Sequence, residues 1–244
     1  MIEVRPLAAH SEMKDAVRLQ QEIWGFEEVE LIPLRMFVVA SKVGGQVFGA
    51  FDGARMVGFC LSVPGLKPGG KTYLHSHMLG VLPDYRDAGV GRQLKLAQRD
   101  EALTRVIDLI EWTFDPLEIK NAFFNVERLG AIVRRFVVNQ YGMTTSRLHT
   151  GLPTDRCIAE WWIATPRAAA ISAGRQFPRN PVEARIAIPS NIANLRSRDP
   201  ERAREVQQEA GAQFLKAFDR GLAVIGFEKS DAAGTYLLGQ WESN

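Results

Sequence analysis

Two histidines at alternate positions, His75 and His77, are the residues of this sequence best suited to move a proton at neutral pH. The unperturbed pKa of histidine is near 6.5, so a neutral imidazole can take a proton directly or through water. Both lie in the segment TYLHSHMLGV, whose β-branched and aromatic residues predict a strand. Alternate residues of a strand share a face, so the two imidazoles are expected on one side. The alternative, that either histidine is packed and hydrogen-bonded in the core, remains open.

A glycine-containing turn follows this strand directly, in VLPDYRDAGVGRQL. It gives Arg86, Gly89 and Gly91 the spacing R-x-x-G-x-G between the predicted strand and a predicted amphipathic helix. Glycine lets the backbone pass close to a ligand, and the N–H groups at a helix N-terminus attract an anion. The turn therefore predicts a pyrophosphate site. A dinucleotide fold is disfavoured, because the third glycine of G-x-G-x-x-G is replaced by Leu94.

A second glycine loop, GLKPGGKT from Gly65 to Thr72, fits the phosphate-binding consensus G-x-x-x-x-G-K-[ST]. That consensus requires a helix starting at its Lys-Thr pair, but the segment that follows has strand character. We therefore interpret it as a loop between two antiparallel strands. A nucleotide hydrolase that depends on Lys71 is the least favoured function.

The patterns along the chain predict the element order β–α–α–β–β–β–α–β–α–β–β from Met1 to about Ala164. Alanine, glycine, proline and arginine then interrupt the pattern, which predicts a linker. A βαββ tail follows, whose helix has an apolar stripe. The sequence therefore predicts an α/β (α+β) protein with a domain at 1–165, a linker at 166–180 and an extension at 181–244.

The amino-acid composition excludes several classes of protein and partner. Hydrophobic residues make up 46% of the 244 residues and charged residues 24%, as in an ordinary globular protein. The 30 Lys and Arg residues nearly balance the 28 Asp and Glu residues, so neither nucleic acid nor an anionic membrane is an expected partner. No apolar run approaches the length of a membrane span. Only two cysteines are present, which predicts a reducing, cytoplasmic location.

The motif V-x-P-x-Y-R-x-x-G-x-G, from Val81 to Gly91, resembles the acyl-CoA-binding signature of the GNAT N-acetyltransferases. The predicted element order agrees with that family. NAFFNVERLGA is similar to its fourth helix, with Ala131 in place of the usual aromatic residue. HSHMLGV, WTFDPL, NAFFN and GLPTDR further resemble a subgroup of predicted GNAT proteins. The resemblance implies a mixed, splayed central sheet flanked by helices, with the tail outside the common fold.

The resemblance also implies a reaction, the transfer of an acyl group from acetyl-CoA or another acyl-CoA to an amine, without a metal. The strand ending at Val81 would pair with the pantetheine arm and supply an oxyanion donor, and the following loop would hold the pyrophosphate. Asn121 would reach the pantetheine or the sulfur. The implied cofactor-binding residues are Leu79, Gly80, Val81, Arg86, Asp87, Ala88, Gly89, Val90, Gly91, Arg92 and Asn121.

For the proton transfers, His75 stands where several relatives carry a catalytic Glu, and His77 is a second candidate. The resemblance places the usual tyrosine acid at Val126, where this chain has none. Tyr141 is the nearest tyrosine in sequence, although a packed strand-end tyrosine is the alternative. Without an acid, the thiolate leaves unassisted or takes a proton from water.

The acceptor is expected to be a small amine or an amino acid. Core packing is the alternative for the aromatic candidates, a turn cap for Asp115, and a surface turn for Asp155 and Arg156. The candidates are Trp24, Phe26, Trp112, Phe114, Asp115, Asn125, Asp155 and Arg156. A non-catalytic acyl-CoA-binding module is the competing function. The tail is too small to be stable alone, so it is expected to pack on the first domain or on a second subunit in a homodimer.

Overall fold

The structure is a computed structural model that describes residues 1–142 and 152–242. Its residue contacts divide the chain into two compact units, Met1–Glu111 and a second unit that begins at Trp112. The elements along the chain are β1 (Ile2–Pro6), α1 (His10–Trp24), α2 (Leu34–Lys42), β2 (Gln46–Asp52), β3 (Arg55–Leu66), β4 (Thr72–Val81), α3 (Val90–Thr104), β5 (Leu109–Phe114), α4 (Ile119–Phe123), β6 (Ile132–Val137), β7 (Arg156–Trp162), α5 (Pro166–Ser172), β8 (Ala184–Pro189), α6 (Ile192–Arg198), α7 (Pro200–Asp219), β9 (Ala223–Lys229) and β10 (Ala233–Gly239).

The first unit is a sheet in the order β1-β2-β3-β4-β5, with α1, α2 and α3 packed on it. Neighbouring strands from β1 to β4 are antiparallel, whereas β4 and β5 are parallel. Helix α1 buries Met13, Ala16 and Leu19 because they recur at helical spacing on one face. The buried apolar residues of the strands and of the helices thus form one hydrophobic core. The predicted mixed sheet with flanking helices is confirmed.

The parallel pair of strands is short. Of the strand pairs that the structure describes, β4 meets β5 only at Leu74 with Ile110 and at His75 with Glu111. Strand β4 then continues to Val81 along β3 on its other side. The two parallel strands therefore stop pairing directly after His75, as expected of a splayed sheet.

The second unit contains the strand order β5-β7-β6-β9-β10-β8. Helix α4 passes into a π-helical turn at Phe124–Arg128, and the chain then reverses at Gly130, whose φ is 81°. Glycine is required there, because a Cβ would lie 3.0 Å from the Ile171 side chain and positive φ disfavours other residues. The predicted fourth helix is thus present, but its second half is π-helical.

The predicted linker 166–180 is partly wrong, because it contains helix α5. Thr165 caps this helix by accepting a hydrogen bond from the Ala168 N–H, and Pro166 occupies the first turn. The Arg167 side chain is buried and donates to the carbonyl oxygens of Gly130 and Ile225 at 3.1 and 3.0 Å. The segment is therefore an ordered part of the second unit.

The predicted βαββ tail is present as β8, α7, β9 and β10, with the additional helix α6 that the sequence pattern did not reveal. Strand β9 pairs with β6 at Val224 and Val133, and the buried Tyr236 hydroxyl donates to the Pro116 carbonyl at 2.7 Å. The tail therefore extends the sheet of the second unit. The contact division falls between Glu111 and Trp112 and not at the predicted boundary near residue 165.

Candidate functional site

In the glycine turn after β4, no Cβ at Gly89 covers the backbone. Asp87 and Gly89 both have positive φ, 61° and 81°, and α3 begins at Val90. Successive N–H groups in such a turn form an anion-binding concavity, and the first N–H groups of a helix lack partners within it. A Cβ at Gly89 would have nothing within 4 Å, whereas one at Gly91 would lie 3.5 Å from Leu79. Gly89 therefore borders space that a ligand can enter, and Gly91 lets the helix pack on the strand.

The side chains of the motif brace this turn. The Tyr85 hydroxyl donates to Asp52 at 2.9 Å, and that hydrogen bond raises the pKa of Tyr85. Arg86 Nε donates to the Val81 carbonyl at 3.2 Å and so ties the turn to the end of β4. The predicted cofactor residues from Leu79 to Arg92 are all in the first unit, whereas Asn121 lies on α4 in the second.

The two histidines lie at a β-bulge. The β3–β4 register shifts so that Leu61 faces Met78 and Ser62 faces Ser76, which leaves His77 as the additional residue of β4. The His75 and His77 rings are nevertheless neighbours, with centroids 6.0 Å apart. His75 is partly buried and His77 is exposed. Simple alternation predicted their proximity, but the bulge sets their orientation.

Burial, together with the smaller effects of the charges of His77, Lys95 and Lys67, lowers the pKa of His75 to about 4. Partial desolvation of the imidazole by the surrounding protein also lowers the pKa of His77. A lowered pKa means that His75 is neutral at all pH values well above 4 and is free to accept a proton. Its conjugate acid is a stronger acid than an ordinary imidazolium, however, so His75 is a weaker base than a histidine with the unperturbed pKa near 6.5.

A buried polar chain lies behind the histidines. Lys95 on α3 donates from Nζ to Ser76 Oγ at 2.7 Å, and Ser76 donates to Gln98 Oε1 at 3.0 Å. Burial lowers the pKa of Lys95 to about 7. Sequence reasoning missed this chain, although Lys95 and Gln98 occupy helical positions on the buried face of α3. Because Ser76 lies between the histidines, Lys95 fixes the strand at the bulge.

The loop that fits the phosphate consensus is a hairpin tip, so its interpretation as a connection between antiparallel strands is confirmed. The Lys67 N–H donates to the Lys71 carbonyl at 2.8 Å, and β3 pairs with β4 directly before and after the loop. Lys71 forms an exposed ion pair with Asp108 at 2.7 Å. Lys67 forms one with Glu111 at 2.6 Å, and that carboxylate is only 4% exposed.

Four predicted acceptor residues of the second unit are buried in its interior: Trp112, Phe114, Asp115 and Asn125. Trp112 packs edge-on against Trp161, and its indole N–H donates to Asn125 Oδ1 at 3.2 Å. Asp115 accepts the Leu117 N–H at 2.8 Å and an Arg196 guanidinium N–H at 2.6 Å. Trp112 is therefore packed in the core and Asp115 caps the following turn, as in the alternative interpretations of these two residues.

Asp155 and Arg156 are also buried, so the surface-turn alternative is wrong. Asp155 accepts the Asn139 N–H at 2.9 Å, while burial raises its pKa and lowers that of Arg156. The Arg156 guanidinium lies 5.5 Å from the centre of the Tyr141 ring. Tyr141 is 48% exposed, and its hydroxyl is 2.9 Å from Thr113 Oγ1 on β5. It is thus not a packed strand-end tyrosine.

Trp24 and Phe26 close the end of α1 against the sheet. Their rings stack at 5.6 Å, and Trp24 meets the buried Phe59 edge-on at 6.0 Å. A Cβ at Gly80 would lie 2.7 Å from Trp24, so the glycine of β4 makes room for the indole. Trp24 therefore packs directly on the predicted pantetheine-binding strand.

In the described part of the chain, no group of three or more His, Cys, Asp or Glu residues is arranged to hold a metal ion. No described helix has the length and apolar character required to cross a membrane.

Comparison with solved structures identifies the fold. The ribosomal-protein-S18-alanine N-acetyltransferase of Escherichia coli is similar with a TM-score of 0.53 and 17% identity, over 68% of this chain and 96% of that one. A protein of Desulfovibrio desulfuricans assigned to the GNAT family has a TM-score of 0.53 and 15% identity, over 67% and 100%. This chain has the GNAT fold.

Arabidopsis thaliana NAA60 in complex with acetyl-CoA gives the same TM-score of 0.53, at 16% identity over 67% of this chain and all of its own. No family model and no curated protein sequence matches the chain. The GNAT fold thus occupies about two thirds of the chain, and the rest is additional to it.

Proposed function

We propose that this protein transfers an acetyl or other short acyl group from a CoA thioester to a small amine or amino acid, by direct attack in a ternary complex. One observation carries the proposal: β4 stops pairing with β5 after His75, and its last six residues lead to the glycine turn. At about 3.3 Å per residue, this edge is roughly 20 Å long. An extended arm with amide groups can pair with such an edge, while its pyrophosphate meets the N–H groups near Gly89.

The chemistry fits the residues at the head of this edge. The thioester supplies the acyl group, and its acyl carbon bonds to the amine nitrogen as the carbon–sulfur bond breaks. The neutral His75 imidazole can accept the proton that the acceptor ammonium must lose, directly or through water. A backbone N–H between Leu79 and Val81 would stabilise the oxyanion that develops on the carbonyl oxygen.

The leaving thiolate lacks the tyrosine that usually protonates it. Val126, at the usual position of the tyrosine acid, is fully buried and has no proton to donate. Tyr141, the candidate acid of the sequence analysis, has an exposed phenol 2.9 Å from Thr113 Oγ1 of β5. A non-catalytic acyl-CoA-binding module is the second candidate function, because the usual acid is missing and His75 is a weak base.

The two functions are separated by one experiment. Acyl-CoAs of increasing chain length are first screened by thermal shift, and each one that binds is then incubated with a panel of amines while free thiol is measured. Release of thiol that depends on both substrates supports the enzyme. Binding without turnover of any amine would support the binding module, and absence of acyl-CoA binding would overturn both.

A further inference from the structure

The hairpin residue Lys67 occupies a cation site made by two other residues. Its Nζ lies 2.6 Å from Glu111 Oε1 and 4.6 Å from the centre of the Tyr73 ring. A carboxylate accepts charge-assisted hydrogen bonds from an ammonium group, and an aromatic face attracts that group through the ring quadrupole. This combination is how a protein surface recognises an alkylammonium ion.

The cation site lies where the parallel strands stop pairing. Glu111 is the register partner of His75, and residues in register on neighbouring strands point to the same face of a sheet. Tyr73 precedes His75 by two residues on β4, so it also shares that face. Under the proposed function the acyl group lies beside His75, so the site adjoins the reacting atoms.

The other lysine of the same hairpin shows that this pairing is unusual. The side chains of Lys71 and Asp108 are 49% and 40% exposed, so their pair has little desolvation cost. The Glu111 side chain is 4% exposed and that of Lys67 is 27% exposed. Burying a carboxylate carries a large desolvation penalty, which a surface hairpin does not require for its own stability.

We propose that Glu111 and Tyr73 form the ammonium subsite for the acceptor, and that Lys67 fills this subsite until an acceptor displaces it. The proposal rests on the proposed function. It also defines the acceptor class, because Lys67 presents an unbranched methylene chain that ends in a primary ammonium. The acceptor is therefore a compound with a terminal aminoalkyl group, such as a diamine or a lysine side chain.

Exchange at this subsite conserves charge. One ammonium replaces another, so the buried Glu111 carboxylate keeps a cationic partner throughout. A tethered group competes with a free ligand at an effective concentration in the millimolar range for a short flexible connection. Lys67 should therefore weaken the apparent affinity for acceptors without abolishing it.

The test measures binding of n-butylammonium by calorimetry without acyl-CoA. Lys67→Gln removes the tethered ammonium but leaves a hydrogen-bond donor for Glu111, and it should bind n-butylammonium at least about tenfold more tightly than the wild type. Lys71→Gln removes a lysine from the same hairpin and should bind like the wild type. Equal affinity in the wild type and Lys67→Gln would overturn the proposal.

The carboxylate is tested in the same assay. Glu111→Gln in the Lys67→Gln background should abolish n-butylammonium binding. Asp108→Asn in the same background is the control and should leave that binding unchanged. Melting curves establish that each variant is folded. If Lys67→Gln does not fold, the wild type still decides, because its n-butylammonium binding must disappear in Glu111→Gln. Binding that survives loss of the Glu111 charge would overturn the subsite.

Acyl-CoA affinity is measured separately and should be equal in all of these variants. Acyl-CoA turnover together with n-butylammonium binding that does not depend on Glu111 would overturn the subsite and leave the proposed function intact. Binding of n-butylammonium that depends on Glu111, in a protein that binds no acyl-CoA, would overturn the proposed function and the acceptor assignment together.

Discussion

The two units use buried charge differently. In the second unit, Arg196 joins Asp115 at 2.6 Å, with side chains 5% and 8% exposed, and thereby connects α6 to the loop after β5. In the first unit, Glu111 is as deeply buried, but its partner Lys67 comes from a hairpin tip and is partly exposed. The first pair joins two buried side chains of the interior, whereas the second joins a buried carboxylate to a partly exposed lysine. The Asp115–Arg196 pair is therefore structural, whereas the Glu111–Lys67 pair marks a candidate site.

The strongest test of this contrast removes the tail. Truncation near Pro181 deletes β9, the partner of β6, and leaves Asp115 without Arg196. An exposed strand edge and a buried carboxylate that has lost its guanidinium partner both favour aggregation or unfolding. We expect an insoluble product, as judged by the soluble fraction after expression and by size-exclusion chromatography. A soluble truncated chain with an unchanged melting temperature would contradict a structural role for the tail.

Removing the Arg196 guanidinium alone, which breaks its ion pairs with Asp115 and Glu118, should have a smaller but still large effect. Arg196→Met leaves the Asp115 charge buried and should lower the free energy of unfolding by about 3–5 kcal/mol, measured by denaturant titration. Arg202→Met is the matched control, because its pair with Glu205 is exposed and should be worth at most about 1 kcal/mol. Equal effects of the two substitutions would remove the distinction between buried and exposed pairs.

The position of the glycine turn and the order of the elements followed from local pattern. Strand before, glycines at the corner and helix after are signals within about twenty residues of one another, and the structure keeps all three. Helix α5 was readable in principle from Thr165 and Pro166, an N-cap followed by a first-turn proline. Its alanine, glycine and arginine composition outweighed that signal in the sequence interpretation.

The ion pairs could not be predicted from the sequence, because they join residues that only the fold brings together. Lys67 and Glu111 are 44 positions apart, and Asp115 and Arg196 are 81 apart. The bulge at His77 depends on a register with β3 that periodicity does not specify. A single charge inside the apolar strand LIEWTF was nonetheless a usable signal, because an acidic residue is rarely buried without a partner.

The pH dependence of the reaction tests whether His75 of the first unit is the base. Because the pKa of His75 is about 4, its neutral form predominates above that pH and its titration should not appear between pH 6 and 8. The rate at saturating acyl-CoA should instead rise with the titration of the acceptor amine and shift when amines of different pKa are used. His75→Ala should lower the turnover number by about 10², the lower end of a general-base contribution, without changing CoA affinity.

The control for that prediction is His77→Ala, which should lower turnover less because His77 is the exposed residue of the bulge. A rising limb that stays between pH 6 and 8 for every amine and disappears in His75→Ala would show that His75 titrates in its ordinary range. Wild-type turnover in His75→Ala would instead make it a packing residue.

The smallest expected effect concerns the glycine turn. Gly89→Val adds a branched side chain but also forces valine to a φ of 81°, so it would weaken the fold and the ligand site together. Gly89→Asn is the cleaner substitution, because asparagine tolerates positive φ and a Cβ there meets no atom within 4 Å. Its side chain would occupy the space that the pyrophosphate needs. We expect CoA affinity to fall at least tenfold, about 1.4 kcal/mol, by calorimetry, with little change in melting temperature.

Gly69→Asn provides the matched control for this substitution. Gly69 has a φ of 88°, also has nothing within 4 Å of an added Cβ, and lies in the hairpin at the opposite end of β4. It belongs to the loop that fits the phosphate consensus, so the pair of variants decides between the two glycine loops. Asparagine at position 69 should leave CoA affinity unchanged, because the hairpin tip contributes no helix N-terminus. Loss of CoA affinity in Gly69→Asn, with wild-type affinity in Gly89→Asn, would move the anion site to the other end of the strand.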